Sequence, residues 1–158
     1  MKKIRYLVLN EGEFQTKTLS FSARFLSHLF SYPLALILSL FVICYALNLV
    51  GLYIFTIIYL AWFIMVAYKE SRIYIVDLKF ISHEVKVVYQ DFSNVKEFVF
   101  PFEGLKVKFY DSVKGGLFSP SLLLENNGFK LKQFAIGIYS RDLVDSLYQE
   151  IVKRMQSK

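Results

Sequence analysis

Polar and apolar positions divide this chain sharply. Residues 25–68, between Arg24 and Lys69, form a run of 44 without one Asp, Glu, Lys or Arg. A helix rises about 1.5 Å per residue, so roughly 20 apolar residues cross a hydrocarbon core of about 30 Å. The run therefore fits two crossings and a tight turn. The pattern predicts helices over 27–47 and 49–68, turning at 48–51, where Asn48 and Gly51 interrupt the apolar sequence. One tilted helix of this length would need about 65 Å of hydrocarbon, more than a bilayer offers.

Outside the run the period changes. Residues 4–10 (IRYLVLN) are rich in strand formers, 11–13 break the pattern, and 14–21 (FQTKTLSF) partly alternate, which predicts a short β-hairpin before the membrane. An interfacial helix is the alternative over 18–24. After the membrane, strands are predicted over 72–80, 84–90, 97–100, 105–110, 121–125 and 129–134, all dense in Val, Ile, Phe, Tyr and Leu. Turn residues separate them, and Asn126-Asn127-Gly128 is the strongest such signal, because Asn-Gly supplies the positive φ angles of a hairpin turn. The chain closes on a predicted amphipathic helix over 141–156. Ser140 is its N-cap, Asp142 and Asp145 lie near its start and Lys153 and Arg154 near its end. Its apolar stripe, Leu143, Val144, Leu147, Tyr148, Ile151, Val152 and Met155, is suited to sealing a core.

Composition narrows the picture. Of 158 residues, 55% are hydrophobic and 18% aromatic, and once 25–68 are given to lipid one compact domain remains, 69–158, with 1–24 as a cytoplasmic N-terminal segment. The net charge of +6 is spread over both flanks, and the mixed surface after residue 69 argues against a nucleic-acid partner. Lys2, Lys3, Arg5, Lys17 and Arg24 precede the first span, and Lys69 and Arg72 follow the second. The turn between the spans is uncharged, so the basic-side rule places both termini in the cytoplasm, on the inner face of a two-span cytoplasmic membrane protein. A cleaved leader is not expected. The single cysteine, Cys44, falls inside the first span as an inert thiol, with no disulfide framework.

Few residues suggest chemistry. His28 and His83 are far apart, no His, Cys or acidic cluster has zinc spacing, and Gly115-Gly116 belong to no phosphate loop, so the chain reads as neither enzyme, cofactor protein nor metalloprotein. His28 reads as a snorkelling interfacial residue with no intramembrane carboxylate to pair with. Three candidate contact sets remain. Ser27, Ser31, Ala35 and Ser39 recur every four residues, a small face suited either to the second span or to another membrane protein or second copy. Lys106 with Lys108, and Lys130 with Lys132, alternate along two strands and would form one basic, lipid-facing patch if those strands are close; otherwise they are the wet side of a sheet. The loop over 111–120 carries apolar residues, notably Leu117 and Phe118, that would dip into lipid, clasp a partner or fold back.

Tyr74-Ile75-Val76-Asp77, the turn Asp91-Phe92-Ser93-Asn94, the segment from Phe98 to Leu105 with Phe102 where the group often has Trp, and the helix after Ser140 together resemble the membrane-anchored bacterial pleckstrin-homology-like (YcxB-like) proteins. The likeness lies in the order of elements across most of the chain. It implies a membrane α+β fold: a two-helix transmembrane hairpin plus a small antiparallel β PH-like domain closed by a C-terminal amphipathic helix. It implies no activity. The expectation is a non-catalytic binding or scaffold module, an accessory subunit touching membrane lipid and another membrane or cytoplasmic protein, or itself. Recognition of anionic lipid by the PH-like domain is the alternative, and a membrane enzyme subunit a third.

Overall fold

β-branched and aromatic residues at alternating positions specify two antiparallel sheets, and two runs of helical period specify the helices around them. The structure, a computed structural model, describes residues 13–30, 32–111, 119–136 and 139–157. The first strand, β1 (Glu13–Gln15), is followed by three helices, α1 (Phe21–Leu29), α2 (Tyr32–Ala46) and α3 (Val50–Glu70). Then come β2 (Ile73–Ile81), β3 (Glu84–Asp91), β4 (Asn94–Pro101), β5 (Lys106–Tyr110), β6 (Ser121–Asn126), β7 (Phe129–Phe134) and the closing helix α4 (Arg141–Gln156).

Sheet A has the order β1-β2-β3-β4 and sheet B the order β5-β6-β7. Strand β1 is contributed from before the helices: Glu13 faces Lys79, Phe14 faces Leu78 and Gln15 faces Asp77. Two-residue hairpins set the register of β2 with β3, β3 with β4 and β6 with β7. Asn127 (φ 48°) and Gly128 (φ 82°) turn β6 into β7, the twist that an Asn-Gly pair supplies. Phe92 (φ 58°) does the same between β3 and β4 without glycine.

Leu78, Val85, Val87, Tyr89 and Phe100 of sheet A meet Leu122, Leu124 and Leu131 of sheet B, and Val144, Leu147 and Ile151 of α4 close the core. Each such side chain contributes roughly 1.5–3 kcal/mol on burial. Two polar bridges fix the sheets to each other. Gln133 Oε1 accepts from the Ile75 amide at 2.7 Å, where the β2–β3 register shifts between Ile75 and Asp77. Asn126 Nδ2 donates to the carbonyls of Pro101 (2.9 Å) and Glu103 (3.1 Å), tying the β6 end to the corner after β4. Ser140 caps α4 by accepting from the Leu143 amide at 3.2 Å.

The helical part departs from expectation. Helix α1 begins at Phe21, capped by Ser20, so 16–21 is not the second strand of a hairpin, and the helical alternative describes this segment. The expected strand over 4–10 lies outside the described residues. The first expected span, 27–47, is divided: α1 ends at Phe30, whose ψ of 39° is not helical, and α2 starts with Pro33 in its first turn, where a missing amide is tolerated. The axes of Phe21–Leu29 and Leu34–Ala46 differ by 50°. Asn48 (φ 52°) makes the next turn, whereas Gly51 lies inside α3 rather than in the turn.

Helix α3, 21 residues with an 18-residue stretch of mean hydropathy 2.2, is long and apolar enough to cross a membrane; α1 and α2 reach that length only if taken together. Leu34, Ile37, Phe41 and Cys44 of α2 are buried or half-buried at spacings of three and four, as are Tyr53, Thr56, Leu60, Phe63 and Ala67 of α3. The two helices pack through these stripes, with the Phe41 and Tyr53 rings 4.7 Å apart.

Candidate functional site

Three buried polar residues, Arg24, Glu70 and Gln90, gather where helices meet sheet A. Arg24, in the middle of α1, is fully buried. Its Nη1 donates to Gln90 Oε1 at 2.8 Å, its Nη2 donates to the Phe92 carbonyl, and its guanidinium lies 5.0 Å from the centroid of the Tyr74 ring. The left-handed turn at Phe92 offers that carbonyl, so the β3–β4 hairpin and the helix fit one another. One turn further along α1, His28 Nε2 lies 3.0 Å from Glu70 Oε2, a buried carboxylate at the end of α3. The Phe63 ring lies 6.3 Å from the His28 ring, and the rings of Phe21, Phe25, Tyr68 and Phe92 form a separate aromatic cluster, with Phe21 5.4 Å from Tyr68 and 5.1 Å from Phe92. The expectation that His28 lacks a carboxylate is thus corrected: Glu70, just beyond the uncharged run, turns back to it.

Burial also governs the tyrosines beneath. The Tyr74 phenol is pushed up to about 12 by desolvation. Tyr139 is raised well above its ordinary value for the same reason, and its hydroxyl donates to the Ile75 carbonyl at 2.7 Å. At the surface Asp91 joins Arg72 (2.6 Å) and Lys96 (2.7 Å), and hydrogen bonds from both, Arg72 first, lower its carboxyl to about 2. These three residues rim a cleft of about 310 Å³ beside the foot of α3, completed by Phe129, Lys130 and Leu131 of β7. A second hollow of about 310 Å³ lies at the α2–α3 turn, lined by Cys44, Asn48 and Tyr53.

The predicted contact residues are distributed unevenly. Ser27 is exposed on α1, and Ala35 and Ser39 are exposed on α2, with the Ser39 hydroxyl donating to the Ala35 carbonyl at 2.8 Å. Ser31 lies outside the described residues. Because of the bend, the four-residue period does not run along one straight helix, and Ala35 and Ser39 are not among the buried positions that meet α3. Leu117 and Phe118 also lie outside the described residues. The four lysines are brought together. Lys106 and Lys130 flank Glu125 across sheet B, Lys108 and Lys132 flank Leu123 in the next row, and all four are exposed.

Arg24, Glu70 and Gln90 escaped sequence reasoning as site residues. Arg24 reads only as a flank charge, Gln90 falls at the end of an expected strand, and Glu70 carries no motif of its own. The spacing of Arg24 and His28, four residues apart on one helix face, was the available signal. Among the described residues no group of three or more His, Cys, Asp or Glu could hold a metal ion. No protein-family model, curated protein or solved structure matches this chain.

Proposed function

We propose that this chain is a membrane-anchored, non-catalytic binding module: α1–α2 and α3 form two crossings, a PH-like β domain sits at the cytoplasmic face, and the whole serves as an accessory subunit that seats another membrane or cytoplasmic protein. The observation that carries this reading is the junction. Arg24 ties α1 to sheet A, and the His28–Glu70 pair ties α1 to the end of α3. A tether needs no such joint, whereas a scaffold that must hold a partner at a set position above the bilayer does.

The strand pairing supports two crossings. Because β1 precedes the helices and β2 follows them, their pairing requires both on one side of the membrane, hence an even number of crossings between Gln15 and Ile73. If α3 crosses, α1–α2 must cross as well. Helix α2 alone, 15 residues or about 22 Å, is short for this, and the residues around the bend complete the distance. Basic residues at Lys69 and Arg72 favour the cytoplasmic side for the β domain. Two antiparallel sheets closed by one C-terminal helix agree with the PH-like resemblance, and the exposed Ala35 and Ser39 offer a partner helix a close approach.

The test is purification of the full chain from its own host in mild detergent after brief crosslinking. A stoichiometric partner is expected, and a chain that runs alone under those conditions overturns the accessory-subunit reading.

A further inference from the structure

We infer that the outer face of sheet B is a docking surface for the anionic lipid leaflet from which α3 emerges, an inference that rests on the reading of α3 as a membrane span. The register places Lys106, Lys108, Lys130 and Lys132 on one side of three adjacent strands. With strands about 4.8 Å apart and a two-residue repeat of about 7 Å, their Cα atoms occupy a rectangle of about 10 by 7 Å, comparable to the Debye length of about 8 Å at physiological salt. Only one of the four is neutralised: Lys130 reaches Glu125 at 3.2 Å, while Lys106, Lys108 and Lys132 have no carboxylate partner among the described residues. Lys132 is held over the Phe134 ring at 4.5 Å and the Tyr110 ring at 5.3 Å, and Tyr110 is 45% exposed, so the patch combines cations with an amphipathic aromatic edge suited to a headgroup region.

Position decides between a lipid surface and an ordinary wet sheet. Lys130 lines the same cleft as Arg72, two residues beyond the end of α3, so the Lys106–Glu125–Lys130 row lies beside the point where the chain leaves the bilayer. Negative charge at a leaflet surface draws each nearby basic residue by about a fivefold gain in occupancy. Three unneutralised lysines at that place would turn sheet B toward the headgroups. The opposite, outer side of sheet A alternates Lys79 and Lys86 with Asp77, Glu84 and Glu97 and has no such excess.

The full chain in nanodiscs answers the question without a substitution. Amine-reactive labelling is read by mass spectrometry in phosphatidylcholine discs and in discs of phosphatidylcholine with phosphatidylglycerol at three to one. Labelling of Lys106, Lys108 and Lys132 should fall several-fold with the anionic lipid and return at high salt, while Lys79 and Lys153 stay constant. Equal labelling of the three lysines in both discs overturns the inference and leaves the anchor standing. A fall shared equally by Lys79 and Lys153 also overturns it, since it reports general screening rather than a face. Failure of the chain to enter either disc removes the membrane reading together with the inference.

Discussion

Arg24 Nη1 donates to Gln90 Oε1 at 2.8 Å, joining the helix at the start of the uncharged run to a strand that follows the run. The same guanidinium also serves the Phe92 carbonyl. Arg24→Met should therefore strand two buried acceptors and cost about 3 kcal/mol, and Arg24→Lys, with one compact ammonium in place of a fork, should recover less than half. Thermal unfolding of the detergent-solubilised chain measures both; a Lys variant as stable as the parent would mean that the fork geometry is irrelevant.

The His28–Glu70 pair makes an asymmetric prediction. His28→Ala leaves a buried carboxylate alone and should destabilise by about 3 kcal/mol. Glu70→Gln keeps a hydrogen-bonding partner for the imidazole and should cost about 1 kcal/mol. The double variant should be less damaging than the sum of the two, and strict additivity in a double-mutant cycle would show that the residues do not interact.

Asp91 gives the acid limb of the stability curve. Its folded carboxyl titrates at about 2, below the unfolded value near 3.9. A depressed carboxyl contributes stability above the unfolded value, lost as pH falls from about 4 through about 2. Asp91→Asn should flatten that limb and cost only about 1 kcal/mol at neutral pH, since Arg72 and Lys96 are about half exposed. Chemical denaturation at several acidic pH values measures it.

The buried tyrosines set the alkaline limb. Unfolded phenols ionise near 10, whereas burial raises Tyr74 to about 12 and also raises Tyr139. Stability should therefore be intact below pH 10 and fall as pH rises toward 12 and beyond. Tyr139→Phe loses the hydrogen bond to the Ile75 carbonyl, about 1 kcal/mol, but should make the alkaline fall shallower. An unchanged slope would remove Tyr139 from this account.

Even crossing parity predicts labelling sidedness. In a Cys44→Ala background, a cysteine introduced at Asn48 should react with an impermeant maleimide from outside intact cells, and one at Ser157 only after permeabilisation. Reaction of both from the same side would contradict two crossings.

Much of the β domain is legible in the sequence, because alternation and turn chemistry act locally. Asn127-Gly128 sets its own hairpin, Ser140 starts α4, and the lysine doublets on β5 and β7 need only β6 between them to share a face. The junction is not legible in the same way. An uncharged run reports which solvent a residue avoids, not which neighbour it finds. Arg24 therefore looks like a flank charge although Gln90, 66 positions away, desolvates it. Continuous hydrophobicity likewise hides the change of direction between Leu29 and Leu34. The short β1 has too few residues to declare itself and depends on its pairing with β2.

That pairing has a consequence for biosynthesis. A ribosome delivers Glu13–Gln15 before α1, α2 and α3, and only after them the strand that Phe14 must face. Phe14 and Arg24 lack these partners until Leu78 and Gln90 emerge. On the two-crossing reading proposed above, closure of sheet A follows insertion of the helices, and a chain inserted with its ends on opposite sides would have no β1 to complete the sheet, so the domain's own hydrogen bonds would report its orientation.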